Sequence, residues 1–150
     1  MGTKIIADVS VANEKGTIGF ARELIGIFNT GDTVLFYGDL GSGKTFLIRE
    51  MVRLLGMDDA ASSPSFSIVN QYYGRDRIIN HIDLYRIKGE KELENLGLED
   101  YLQGPYLNLI EWPQIIEQNL EWQHYRLEII TDDKLPNRRR FVLKYVDPGN

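Results

Sequence analysis

The chain has 150 residues, enough for one domain with a proper core, and its 43% hydrophobic and 26% charged content is ordinary for a globular protein in water. A formal net charge of -5 argues against a protein that grips a phosphate backbone unaided, since the concentrated basic stretch is limited to Lys134 with Arg138, Arg139 and Arg140. The absence of cysteine excludes disulfides, thiolate catalysis and cysteine-ligated metal and agrees with a cytoplasmic setting, and no apolar run approaches the length of a membrane span.

Lys4 to Val9 reads as a first strand. Asn13 is placed to cap a helix whose apolar positions Ile18, Ala21, Leu24, Ile25 and Phe28 recur at helical spacing. A turn at Asn29-Thr30-Gly31-Asp32 leads into Thr33 to Tyr37, a continuous run of β-branched, apolar and aromatic residues that suits a buried parallel strand. The segment Gly38-Asp39-Leu40-Gly41-Ser42-Gly43-Lys44-Thr45 follows at once and matches the P-loop pattern G-x-x-x-x-G-K-[ST]. Leu47, Met51, Leu54 and Leu55 then mark one face of a helix, with Gly56 placed to end it. Strand, glycine-rich loop and helix are the context in which such a loop holds phosphate. Its glycines let backbone N–H groups close on phosphate oxygens, and the helix N-terminus favours an anion. Lys44 would neutralise the β- and γ-phosphates of a nucleoside triphosphate, and Thr45 would offer its hydroxyl to Mg²⁺.

Beyond that helix, Ser62-Ser63-Pro64-Ser65-Phe66 carries hydroxyls that suit either a γ-phosphate contact or a hairpin cap, and the bare pattern favours the cap. Phe66 to Tyr72 and Arg77 to Ile82 flank the turn Tyr73-Gly74-Arg75-Asp76, so part of the sheet is expected to be antiparallel. Asp83 ends the second of these strands. Two readings fit it equally on spacing: a group acting on metal or water, or a helix cap and partner for Arg86. His81 reads as a packed histidine rather than a ligand, and with His124 the only other histidine, a His-based metal site is not expected. Glu90 to Asp100 reads as short helix and loop. Tyr106 to Ile110 is a further buried strand ending at Glu111, the candidate for the second acid that hydrolysis requires beside the metal, the alternative being a carboxylate merely exposed at a strand end. Two late strands, Tyr125 to Ile130 and Arg140 to Tyr145, are separated by a turn-rich Asp132 to Asn137. The whole suggests a three-layer α/β domain, P-loop NTPase-like, with a mixed, partly antiparallel central sheet.

Four segments in this order, GDLGSGKT, SSPSFSIV, HIDLYR and LIEWP, resemble the TsaE (YjeE) family, the small bacterial P-loop ATPases of tRNA threonylcarbamoyladenosine biosynthesis. The resemblance implies a weak ATPase that assembles with TsaD and TsaB, meets tRNA through them, and supports repeated threonylcarbamoyl transfer carried out by TsaD. It implies ATP phosphates on Gly38, Asp39, Leu40, Gly41, Ser42, Gly43, Lys44 and Thr45, and Mg²⁺ on Thr45 and Glu111. It makes Asp83 important for activity, puts Trp112 beside the nucleotide and Thr17 near the adenine, and assigns a site role to Ser65, which stands where the family usually has threonine. Gln114 replaces a frequent family glutamate. Two other activities fit a short P-loop chain: a small-molecule kinase with Asp83 as base, and a regulatory GTPase, which lacks its N/T-K-x-D segment here.

Overall fold

The computed structural model describes residues 2–57 and 68–149. In chain order it contains β1 (Gly2–Val11), α1 (Glu14–Ile27), β2 (Thr33–Tyr37), α2 (Lys44–Leu54), β3 (Val69–Tyr73), β4 (Ile78–Asp83), α3 (Glu90–Asn95), α4 (Leu98–Leu102), β5 (Leu107–Glu111), β6 (His124–Asp132) and β7 (Leu135–Asp147). Two short 3₁₀ turns, Pro113–Ile115 and Glu117–Asn119, follow β5. The strands form one seven-stranded sheet in the order β1-β7-β6-β2-β5-β4-β3. Strands β6, β2, β5 and β4 run parallel, while β3, β7 and β1 join by antiparallel pairing. The expected mixed α/β sheet is therefore the observed one.

Side-chain alternation splits the core in two. Val34 and Phe36 of β2, Ile79 of β4, Leu107 and Leu109 of β5, and Phe141 and Leu143 of β7 face α1 and α2. Leu35, Ile82 and Ile110 point the other way and are covered by residues of α3, α4 and the 3₁₀ turns. On the first face Phe20 of α1 stacks on Phe141 with ring centroids 4.5 Å apart, an arrangement that adds about 1 kcal/mol to simple burial. Asn13 caps α1 as expected, its Oδ1 accepting from the Gly16 N–H at 3.1 Å.

Within the sheet a buried amide pair fixes how β4 lies beside β5. Asn80 and Asn108 are opposite one another in register, both fully buried, and the Asn80 amide donates to Asn108 Oδ1 at 2.9 Å. A slip of one residue would break this contact and exchange the side chains that the slipped strand presents to the two halves of the core. The same register sets Phe36, Glu111 and Asp83 abreast at the carboxyl ends of β2, β5 and β4, the edge where open α/β sheets bind ligands.

The last strand begins earlier than its turn-rich composition suggests. A tight turn at Asp133-Lys134, held by the Lys134 N–H on Asp132 Oδ1 at 2.9 Å, reverses the chain directly into β7 at Leu135. Pro136 is tolerated there because pairing with β1 starts only at Arg139. Among the described residues no helix is long and apolar enough to cross a membrane.

Candidate functional site

The chain leaves β2 at Tyr37, turns through Gly38 to Gly43, and enters α2 at Lys44. Geometry compels glycine at Gly43 and at Gly38, for different reasons. Gly43 precedes the helix at φ 104°, a conformation that L side chains rarely adopt. Gly38 has no room for a side chain, because a Cβ there would lie 2.5 Å from Ser42 Oγ and 3.1 Å from the Ile129 carbonyl oxygen. The loop is further tightened by the Ser42 N–H donating to the Asp39 carbonyl at 3.0 Å.

Lys44 is 5% exposed and folds back over its own loop. Its Nζ donates to the Gly38 carbonyl, lies 3.3 Å from the Asp39 carbonyl, and sits 3.8 Å from the centroid of the Trp112 ring. Burial pulls its pKa down, and the charges of Glu111, Asp39 and Asp83 partly restore it. Trp112 reaches this place by an unusual backbone. Among the described residues it is the one non-glycine with positive φ, at 54°, so the chain turns sharply out of β5 and lays the indole beside the loop. Tyr85, from the segment after β4, packs on Trp112 with ring centroids 4.9 Å apart.

Glu111 ends β5 and is 3% exposed. Both of its oxygens lie within reach of the Thr45 hydroxyl, at 2.9 and 2.8 Å, and Oε2 is 2.5 Å from His81 Nε2. Burial alone would raise its pKa, but the His81 and Thr45 hydrogen bonds and the His81 and Lys44 charges outweigh it, so the carboxyl is held below its ordinary value. Asp83 lies beside Glu111 in register, and its Oδ1 accepts the Tyr85 N–H at 3.0 Å. It therefore braces its own turn while its carboxylate faces the loop region.

Asp39, Leu40, Gly41, Ser42, Gly43, Lys44, Thr45, Asp83, Glu111 and Trp112 line a single hollow of about 280 Å³, and Gly38 lies beneath the ammonium. Thr17 lies in an adjoining hollow of about 190 Å³ that shares Ser42, Gly43 and Phe46 with the first and adds Asn137, Arg139 and Phe141. Each hollow is small for an organic ligand, and together they fall within the roughly 300–1,000 Å³ typical of ligand pockets. Ser65, with the rest of Ser62 to Phe66, lies outside the described residues.

The donors suit Mg²⁺, a hard cation that usually takes one or two protein oxygens and completes its shell with phosphate and water. A hydroxyl and an ionised carboxylate already converge at Thr45 and Glu111. Among the described residues no group of three or more His, Cys, Asp or Glu stands ready to hold a metal without help from a ligand.

Two side chains matter more than the sequence pattern suggests. Arg139 is not part of a solvated basic run: its Nε donates to the Ser42 carbonyl at 2.8 Å and its Nη1 to the carbonyls of Pro136 and Arg138 at 2.6 and 2.9 Å. Its neighbour Arg140 points to the opposite face and makes a bidentate pair with Asp8 at 2.9 and 2.7 Å. Strand alternation carries the signal, since Arg139 shares its face with Phe141 and Leu143. His81 likewise shares its face with Ile79 and Asp83, which places it behind Glu111 rather than simply in the core.

The family model for threonylcarbamoyl adenosine biosynthesis protein TsaE matches residues 11–141. A tRNA threonylcarbamoyladenosine biosynthesis protein TsaE from Rickettsia bellii is 38% identical over 125 residues, spanning 81% of this chain and 86% of its own. The protein of the same description from Bacillus subtilis is 34% identical over 118 residues, spanning 79% of this chain and 72% of its own. The crystal structure of YdiB from Bacillus subtilis aligns with a TM-score of 0.75 at 25% identity, covering 100% of this chain and 90% of that one.

Proposed function

Because this chain belongs to the TsaE family of threonylcarbamoyl adenosine biosynthesis proteins, we propose that it binds and slowly hydrolyses ATP as an accessory subunit of threonylcarbamoyl transfer to tRNA. TsaD and TsaB are the proposed partners, tRNA is met through them, and the proposed setting is the cytoplasm. The observation that carries the ATPase reading is the convergence of Lys44, Thr45 and Glu111 at the mouth of one glycine-rich loop.

In this reading the loop from Gly38 to Gly43 receives the phosphates on backbone N–H groups, and Lys44 exchanges its two carbonyl contacts for phosphate oxygens. Thr45 and Glu111 would hold Mg²⁺, which when bound supplies charge neutralisation on the phosphates. Asp83, abreast of Glu111, would orient water. Trp112 walls the phosphate hollow, and the hollow around Thr17 receives the nucleoside end. Arg139 holds the Ser42 carbonyl and so ties β7 to the loop. Acidic residues outnumber basic ones by 22 to 17, which suits a subunit that leaves tRNA contact to its partners.

Reconstituted modification with TsaB, TsaD and tRNA tests this proposal. Continued product formation over many turnovers is expected with this protein and ATP, and a burst without further cycling when ATP is replaced by a non-hydrolysable analogue. Full cycling with the analogue, or no dependence on this protein at all, contradicts the proposal.

A further inference from the structure

Both buried histidines of the chain carry a hydrogen bond, but they are employed differently. His124 sits at the amino end of β6, and its Nδ1 engages the Trp122 carbonyl at 3.0 Å, a local contact two residues away. His81 reaches across strands. It lies on β4 opposite Leu109 in register, and its Nε2 meets Oε2 of Glu111, two residues further along β5, at 2.5 Å. It is 6% exposed and, unlike Glu111 and Thr45, does not line the hollow at the loop.

A glutamate at a strand end has three rotatable side-chain bonds and would sample several carboxylate positions unless something held it. The Thr45 hydroxyl cannot do this alone, because it is itself the second oxygen offered to a cation. The ring N–H of His81 can: a carboxylate accepts, so Nε2 donates, and the bond fixes one oxygen from behind while the other lone pairs stay directed at Thr45 and the hollow. We infer that His81 is a positioning residue, whose cross-strand hydrogen bond holds the Glu111 carboxylate in the one orientation that joins it to the Thr45 hydroxyl as a divalent-cation site. The inference rests on the Mg²⁺-nucleotide reading above and adds to it the group that prepares the site. Outer hydrogen bonds to ligating carboxylates commonly change metal affinity by about 10- to 100-fold.

The test is calorimetric titration of ADP into the intact chain, with and without Mg²⁺, for the natural protein and for His81→Leu, His81→Asn and His81→Gln. The readout is the factor by which Mg²⁺ tightens ADP binding. His81→Leu is expected to reduce that factor by about 10-fold or more while Mg²⁺-free affinity stays within about twofold, as loss of an outer hydrogen bond predicts. His81→Asn, polar but too short to reach Glu111, is expected to match it and serves if the leucine variant does not fold. His81→Gln, whose amide can donate at longer reach, is expected to recover most of the factor. An unchanged Mg²⁺ factor in the leucine or asparagine variant overturns the inference, as does an equal loss of Mg²⁺-free affinity, which marks a purely structural histidine. If the natural protein itself shows no Mg²⁺ enhancement, the metal reading falls and this inference with it, a result distinct from failure at His81 alone.

Discussion

Lys44→Ala is expected to leave a folded protein that hydrolyses ATP at least about 100-fold more slowly and no longer sustains repeated tRNA modification. The ammonium rests on two loop carbonyls and the face of Trp112 rather than on a carboxylate. Its resting partners are thus weaker acceptors than a triphosphate, and a bound nucleotide can draw it away. A hydrogen bond to a charged group is worth about 1.5–3 kcal/mol, so ATP affinity is expected to fall roughly 10- to 150-fold. The fold is expected to tolerate the change. Removing the side chain frees carbonyls at an open hollow, where water can replace it, and the core below consists of Leu47, Ile48 and Met51, which are untouched. Phosphate release under steady-state conditions, with thermal unfolding as the control, measures both halves. Turnover within threefold of the natural protein contradicts the assignment.

Glu111→Ala is expected to have a comparable effect on turnover by a different route, and to weaken the fold as well. The carboxylate accepts from Thr45 and His81 together, and both donors lose their partner when it is removed. His81 is buried, so its stranded N–H is expected to cost about 1–3 kcal/mol of stability, a fall in Tm of several degrees for a chain of this size. Hydrolysis is expected to drop at least about 100-fold because the charge proposed to hold the cation is gone, while ADP still binds without Mg²⁺ on the intact loop. Lys44→Ala weakens nucleotide binding with or without the metal; Glu111→Ala removes only the part that depends on it. Binding measured at both conditions for both variants separates the two roles. Loss of Mg²⁺-free binding in Glu111→Ala contradicts this division.

Local signals in the sequence account for the centre of the molecule and for little of its edges. Thr33 to Tyr37 is a strand because its residues are buried on both faces, and a continuous apolar run announces that without knowledge of neighbours. The loop and α2 follow from glycine and lysine at fixed spacing, and Glu111 from its place at the end of an apolar run. Pairing across the sheet is another matter. Nothing local says that β6 lies beside β2, or that β1 pairs with β7, because those contacts join residues far apart in the chain, Val34 with Tyr125 and Gly2 with Asp147. Arg139 illustrates the consequence. In the chain it belongs to a run of three arginines, and only the placing of the β6–β7 hairpin beside β2 brings it to Ser42, on a loop that precedes it by 97 residues. His81 is hidden for the same reason: its value depends on the parallel register of β4 and β5, itself fixed by the buried pair Asn80 and Asn108. The turn at Trp112 is hidden differently, since a tryptophan at φ 54° opposes the ordinary preference of its type and is imposed by the surrounding packing.

The central claim is that the loop from Gly38 to Thr45, completed by Glu111, is a Mg²⁺-dependent adenine nucleotide site. Calorimetric titration of ATP into the protein at millimolar Mg²⁺, alone and with TsaB and TsaD present, tests it most directly. The account predicts saturable heat from about one site per chain, weakened when Mg²⁺ is chelated. Absence of any saturable heat from adenine nucleotides in either setting contradicts it.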